Sequence, residues 1–185
     1  ARAPDHPRRE PRGRRRSHRP PTRSVARYRR RQERSGENTT AAALAAAYHV
    51  KKHRGDALLL TMPSDHHIPD QDAFVKMVLA GHAAAHGGAT VTFGVAADRP
   101  ETGYGYIELG QQSAGAAFAV KKFHEKPDLV TAQKMLDTGN FVWNAGIFLF
   151  RASVLLAHAK NLTPDTLLAV QEAIDESRED NNFLH

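Results

Sequence analysis

Five short segments hold the side chains that could do chemistry. In PSDHH, Asp65 follows a run of apolar residues, and a carboxylate there suits a hard cation such as Mg²⁺ bridging phosphate oxygens; a helix N-cap or turn aspartate is the other reading. His66 and His67 stand beside it, but zinc needs a third ligand at useful spacing and none follows, so they read as polar loop residues. PETGYGYIE places Gly103 and Gly105 between aromatics. Without a Cβ, the backbone there can approach a ligand closely, or the segment is a plain turn into a strand. FHEKPD sets Glu125 beside Lys126, an acceptor for hydroxyls next to a cation for phosphate, or else a solvated strand end. In an extended segment these neighbours would point to opposite faces. FVWNAGIFLFR carries one polar residue, Asn144, in an apolar run. Such an amide must satisfy local backbone or read a ligand hydroxyl. Trp143 beside it is assigned to the core, with a sugar face as the alternative.

These residues need a scaffold that brings distant segments together. Asn38 or Thr39 can cap a helix through AAALAAAYHVKKH that stops near Gly55. Ala57–Met62 is a short continuous apolar run, as expected of a buried parallel strand, and places Asp65 just past its carboxyl end. Gln71–His86 has helical periodicity, with Phe74, Val78 and Leu79 on one face, and Gly87-Gly88 ends it. Ala89–Val95 is the next strand, so strand, helix and strand predict a right-handed βαβ unit. Beyond it, Tyr104–Leu109, Phe118–Phe123 and Phe141–Arg151 read as strands, and Leu129–Thr138, Ser153–Ala159 and Pro164–Glu176 as helices. The class is α/β with a mixed, mostly parallel sheet.

Charge divides the chain. Residues 1–34 carry 14 arginines and no lysine against three acids, a net +11, so a total of +6 leaves the remainder at −5. Repeated proline and like charge oppose a packed fold there, and residues 1–35 are expected to be a disordered basic segment before a globular part, 36–185. Such a tail can bind nucleic acid or another polyanion, act as a transit peptide, or be GC-rich sequence translated out of frame. It has no aromatic interleaving and no nucleic-acid module, which favours the last reading. With 41% apolar residues, 185 residues can build one sizeable core. There is no cysteine, which excludes disulfides and thiolate metal sites. No apolar run approaches membrane-spanning length, so a cytoplasmic location is expected.

In order and spacing, ENTTAAALAAA, LLLTMPSDHHIPDQDAF, VTFGVAADRPETGYGYIELG and FHEKPDLVTAQKMLDTGNFVWNAGIFLFRA resemble the bacterial mannose-1-phosphate guanylyltransferases over about residues 36–180. The resemblance implies a Rossmann-like nucleotidyltransferase three-layer sandwich, here incomplete, and formation of GDP-mannose and pyrophosphate from GTP and mannose 1-phosphate. It implies Asp65 as the Mg²⁺-binding acid, Gly105 beside the sugar, Glu125 and Asn144 on sugar hydroxyls, and Lys126 facing phosphate. Asn38 and Thr39 match the end of a G-R-N-T segment near the guanine, with Glu37 where the family has Arg. Neither a membrane nor nucleic acid is expected as a partner, the basic tail being the one feature that would favour nucleic acid, and a homo-oligomer is an option. The family's Gly-rich G-G-x-G-x-R-L-x-P-L loop and its later W-x-D-x-G-x-W segment have no counterpart here, so the chain is expected to be a fragment with weak or no activity. The alternative is a noncatalytic protein that binds polyanions through its arginine-rich tail.

Overall fold

A computed structural model describes residues 39–113, 117–177, 179–180 and 183–184. The elements are α1 (Thr39–Arg54), β1 (Leu58–Thr61), α2 (Gln71–His86), β2 (Val91–Ala96), β3 (Tyr106–Gln112), β4 (Phe118–His124), α3 (Leu129–Thr138), β5 (Phe141–Arg151), α4 (Ala152–Leu162) and α5 (Pro164–Asp175). A two-residue pair, β6 (Glu179–Asp180) and β7 (Phe183–Leu184), follows. The basic segment 1–35 lies outside the described residues.

The α/β class stands, but the expected parallel ladders do not. Each pairing among the described residues is antiparallel, and the main sheet runs β1-β5-β3-β4 with β2 also paired to β5. β1 and β2 do run in the same direction, joined through α2, because both oppose β5. They do not pair with each other: each takes its ladder from β5. An apolar run reports burial and says nothing about the direction of the strand that will dock beside it. β1 itself is only half-buried, with Leu60 38% exposed.

Three clusters hold the helices. Phe93, Ile147 and Leu149 pack with Ala85, Phe74 and Val78 of α2. Leu79, expected on that face, instead stands 64% exposed, since a residue one step from Val78 turns about 100° around the helix. Tyr106 and Trp143 pack against Ala132 and Met135 of α3. Leu44 of α1 meets Ala159 of α4 and Leu167 of α5.

Carboxylates fasten several helix ends. Asp70 and Asp128 cap α2 and α3 by accepting from the Ala73 N–H at 2.9 Å and the Thr131 N–H at 2.8 Å. Helix α4 has no cap of its own. Asp56 supplies one from the end of the α1–β1 loop, accepting from the Ser153 N–H at 2.8 Å and its hydroxyl at 2.7 Å. Asp175 of α5 accepts from Lys52 of α1 at 2.7 Å. The Ser153 hydroxyl lowers the pKa of Asp56, the Thr131 N–H that of Asp128, and the Lys52 ammonium that of Asp175, each from an ordinary 3.8. A depressed folded-state pKa contributes stability above the unfolded value, and that contribution is lost as pH falls through the folded one. The thermal midpoint should therefore change little between about pH 7 and 5 from these groups and drop below about pH 4. Circular dichroism melts across that range check this, and Asp56→Ala should flatten part of the drop.

Candidate functional site

The start of β3, the end of β4 and the middle of β5 converge. Tyr106 opposes His124 on one side and Trp143 on the other. The residues one step along each chain, Gly105, Glu125 and Asn144, take the opposite face by the alternation of extended backbone. The Asn144 N–H donates to the Gly105 carbonyl at 2.8 Å. A Cβ built on Gly105 would stand 3.1 Å from Glu125 Oε2 and 2.7 Å from Phe123 Cζ. The carboxylate and the Phe123 ring occupy the space a side chain would need, so any larger residue here must displace them.

Glu125 and Lys126 do not diverge as neighbours on a strand would. Lys126 leaves the extended conformation with φ 40°, and its Nζ comes within 3.8 Å of Glu125 Oε1. That backbone region is sparsely populated by residues with a side chain, and the following Pro127 narrows the options further. Both side chains are more than half exposed, so the ion pair itself stabilises little. What the turn does is aim an ammonium and a carboxylate into the same solvent-facing space.

Asn144 is held from the side of β2. Thr92 opposes Phe148 and Gly94 opposes Asn144, so β5 spends two more residues than β2 over the same stretch. This bulge passes through Gly146 at φ 67°, a left-handed conformation that suits glycine. Within it the Thr92 hydroxyl donates to Asn144 Oδ1 at 2.8 Å and lies 3.4 Å from the Ile147 carbonyl. Asn144 Nδ2 makes no hydrogen bond among the described residues. Trp143, by contrast, is core at 7% exposure, with the Arg99 guanidinium 5.0 Å above its ring and Tyr104 edge-on at 5.4 Å. Thr92 and Phe123 are contributors that sequence reasoning misses. Only the bulge and the edge of β4 bring them in, and neither leaves a local residue pattern.

Asp65 lies in the turn after β1, exposed, with no hydrogen bond or ion pair among the described residues. Its reading as a helix cap falls, because Asp70 does that work. Two residues before it, Pro63 Cγ would be 3.5 Å from a Cβ on Gly146, which ties the turn to the bulge that carries Asn144. Thr39 is the exposed first residue of α1, and Asn38 lies outside the described residues. No hydrogen bond among the described residues joins Thr39 or Asp65 to the Gly105, Glu125, Lys126 and Asn144 group. Among the described residues no set of three or more His, Cys, Asp or Glu side chains is placed to hold a metal ion by itself. A cleft of about 490 Å³ is lined by Tyr48, Lys51, Lys52, Ser153 and Lys160, none of them from this group.

The arrangement offers one acceptor (Glu125), one amide donor (Asn144), a backbone edge stripped of side chain (Gly105) and one cation (Lys126). That set complements a molecule with several hydroxyls and an anionic end.

Comparison with known proteins gives this geometry a setting. The nucleotidyl transferase family matches residues 19–185. The chain is 45% identical over 151 residues to the xanthan biosynthesis protein XanB of Xanthomonas campestris pv. campestris, covering 82% of this chain and 32% of that protein. It is 44% identical over 158 residues to a mannose-1-phosphate guanylyltransferase of Escherichia coli, covering 82% and 33%. It thus spans about a third of the length of the curated relatives it matches. Among solved structures, the mannose-1-phosphate geranyltransferase of Thermus thermophilus superposes with a TM-score of 0.70 at 29% identity, over 79% of this chain and 43% of that one.

Proposed function

Because the chain belongs to the nucleotidyl transferase family, we propose that it carries the sugar-phosphate side of a mannose-1-phosphate guanylyltransferase. In that reaction an oxygen of mannose 1-phosphate attacks the α-phosphorus of GTP, pyrophosphate leaves, and GDP-mannose forms. The observation that carries the reading is the meeting of Gly105 just before β3, Glu125 just after β4 and Asn144 within β5. Glu125 accepts from sugar hydroxyls, the Asn144 amide donates to a sugar oxygen, and Lys126 faces the phosphate. A displacement at phosphorus asks the protein mainly for positioning and charge neutralisation, which these groups supply without a covalent intermediate.

Asp65 fits a site for Mg²⁺: it is an unpartnered carboxylate on an exposed turn past a strand end. One acid suffices there, because Mg²⁺ is usually held by one or two carboxylates together with substrate phosphates. When bound, the ion would supply neutralisation of phosphate charge. Thr39, the first residue of α1, and Asn38, its neighbour in sequence, are assigned to the nucleotide. No helix among the described residues is long and apolar enough to cross a membrane, and a cytoplasmic enzyme, a homo-oligomer among the options, is the setting we assign.

The test is binding of mannose 1-phosphate to the 185-residue chain, monitored by saturation-transfer NMR with Mg²⁺ present. Saturable binding is expected, weakened about 10- to 100-fold by Glu125→Ala, the range for losing hydrogen bonds to a charged group. No saturable binding, or equal binding by the variant, would overturn the assignment.

A further inference from the structure

The geometry points to Thr92 as the positioning residue that holds the Asn144 amide in place for the ligand. An asparagine side chain on a strand is free to turn about its own bonds, and an unanchored amide must be ordered each time a ligand binds. Thr92 supplies the anchor. Its hydroxyl donates to Asn144 Oδ1 at 2.8 Å and lies 3.4 Å from the Ile147 carbonyl, so the amide is tied to β2 on one side. The rest of the amide stays available to a ligand oxygen beside Glu125, a carboxylate that accepts.

The bulge explains why a residue two positions along β2 reaches this amide. In unbroken register Thr92 would sit diagonal to Asn144, where neighbours stand roughly 7–8 Å apart. Here two additional residues of β5 are folded into the stretch between Asn144 and Phe148, and the strand is drawn up beside Thr92. Gly146 supplies the left-handed residue that the detour needs. Sequence, bulge and hydrogen bond therefore form one device for orienting a side chain, and the device rests on Asn144 being a sugar contact as assigned above.

A double-mutant cycle on the full chain tests it, with calorimetric affinity for mannose 1-phosphate as the readout. Thr92→Val keeps shape and removes the hydroxyl; it should weaken binding about fivefold, the effect of one neutral hydrogen bond. Thr92→Ser should restore affinity, because the donor returns. In an Asn144→Ala background Thr92→Val should add nothing further, since there is no amide left to orient. A merely structural role would weaken binding by the same factor in both backgrounds, and that result overturns the proposal. So does a Thr92→Val chain that binds like the wild type. If Asn144→Ala alone leaves affinity unchanged, the assignment of Asn144 fails first and takes this inference with it.

Discussion

Gly105→Ala should reduce affinity for mannose 1-phosphate about tenfold or more while the chain still folds. The added methyl would lie 2.7 Å from Phe123 Cζ and 3.1 Å from Glu125 Oε2. Something must move, and the residues able to move are those in the site. Phe123 is 45% exposed and sits on β4, at the sheet edge, so its ring can swing outward. Overpacking of this kind costs about 1–3 kcal/mol, which a folded domain can absorb. Glu125 Oε2 must give way as well, and on the assignment proposed above that displaces the carboxylate from the sugar hydroxyls, where small misplacements are costly. Gly103→Ala is the control: its Cβ would meet nothing nearer than Glu101 Oε1 at 3.4 Å, an ordinary contact. Calorimetry on both variants decides the matter. If they bind equally well, close approach at Gly105 has no role in recognition.

Tyr106→Ala should be the most damaging change to stability. The ring is fully buried, lies between Trp143 and His124 across two ladders, and rests on Ala132 and Met135. Its hydroxyl accepts from the Glu101 N–H at 2.9 Å, which anchors the loop leading to Gly103 and Gly105. Deleting a large aromatic from such a position costs about 3–5 kcal/mol, a large part of the roughly 5–15 kcal/mol of a typical domain. Tyr106→Phe keeps the packing and loses one hydrogen bond, so about 1 kcal/mol is expected. Urea unfolding should rank wild type, Phe and Ala in that order and widely spaced. Equal losses for the two variants would mean that the hydroxyl, and not the ring, holds this cluster.

Much of the scaffold is legible in the sequence, because periodicity and caps are local. The patterns locate Leu129–Thr138 and Phe141–Arg151 to the residue, and Gly87 ends α2 as expected. Strand direction is not legible. Ala57–Met62 has the composition of a buried strand, and nothing in it says that β5, about 90 residues later, will lie antiparallel beside it. The same limit applies to the site. Gly105, Glu125 and Asn144 stand out as residue types in unusual company, and the sheet does bring them together. Thr92 does not, since a threonine in a strand is ordinary, and its role depends on a bulge that no short pattern announces. Lys126 departs from its expected direction for a related reason: strand alternation applies only until the chain turns, and here it turns one residue early.

The central place of β5 sets an order of events during synthesis. β1, β2 and β3 all take ladder bonds from residues 141–151, and of the main-sheet ladders only β3–β4 can close without them. As the chain emerges from the ribosome, β1 and β2 must therefore wait, with Phe93 lacking the Ile147 and Leu149 it packs on, for one eleven-residue strand to arrive. Contacts between residues so far apart in sequence are slow to form, and uncovered strand edges are where nascent chains associate wrongly. A pause in translation just after residue 151 has emerged would favour correct folding, whereas one just before residue 141 would prolong the most vulnerable interval.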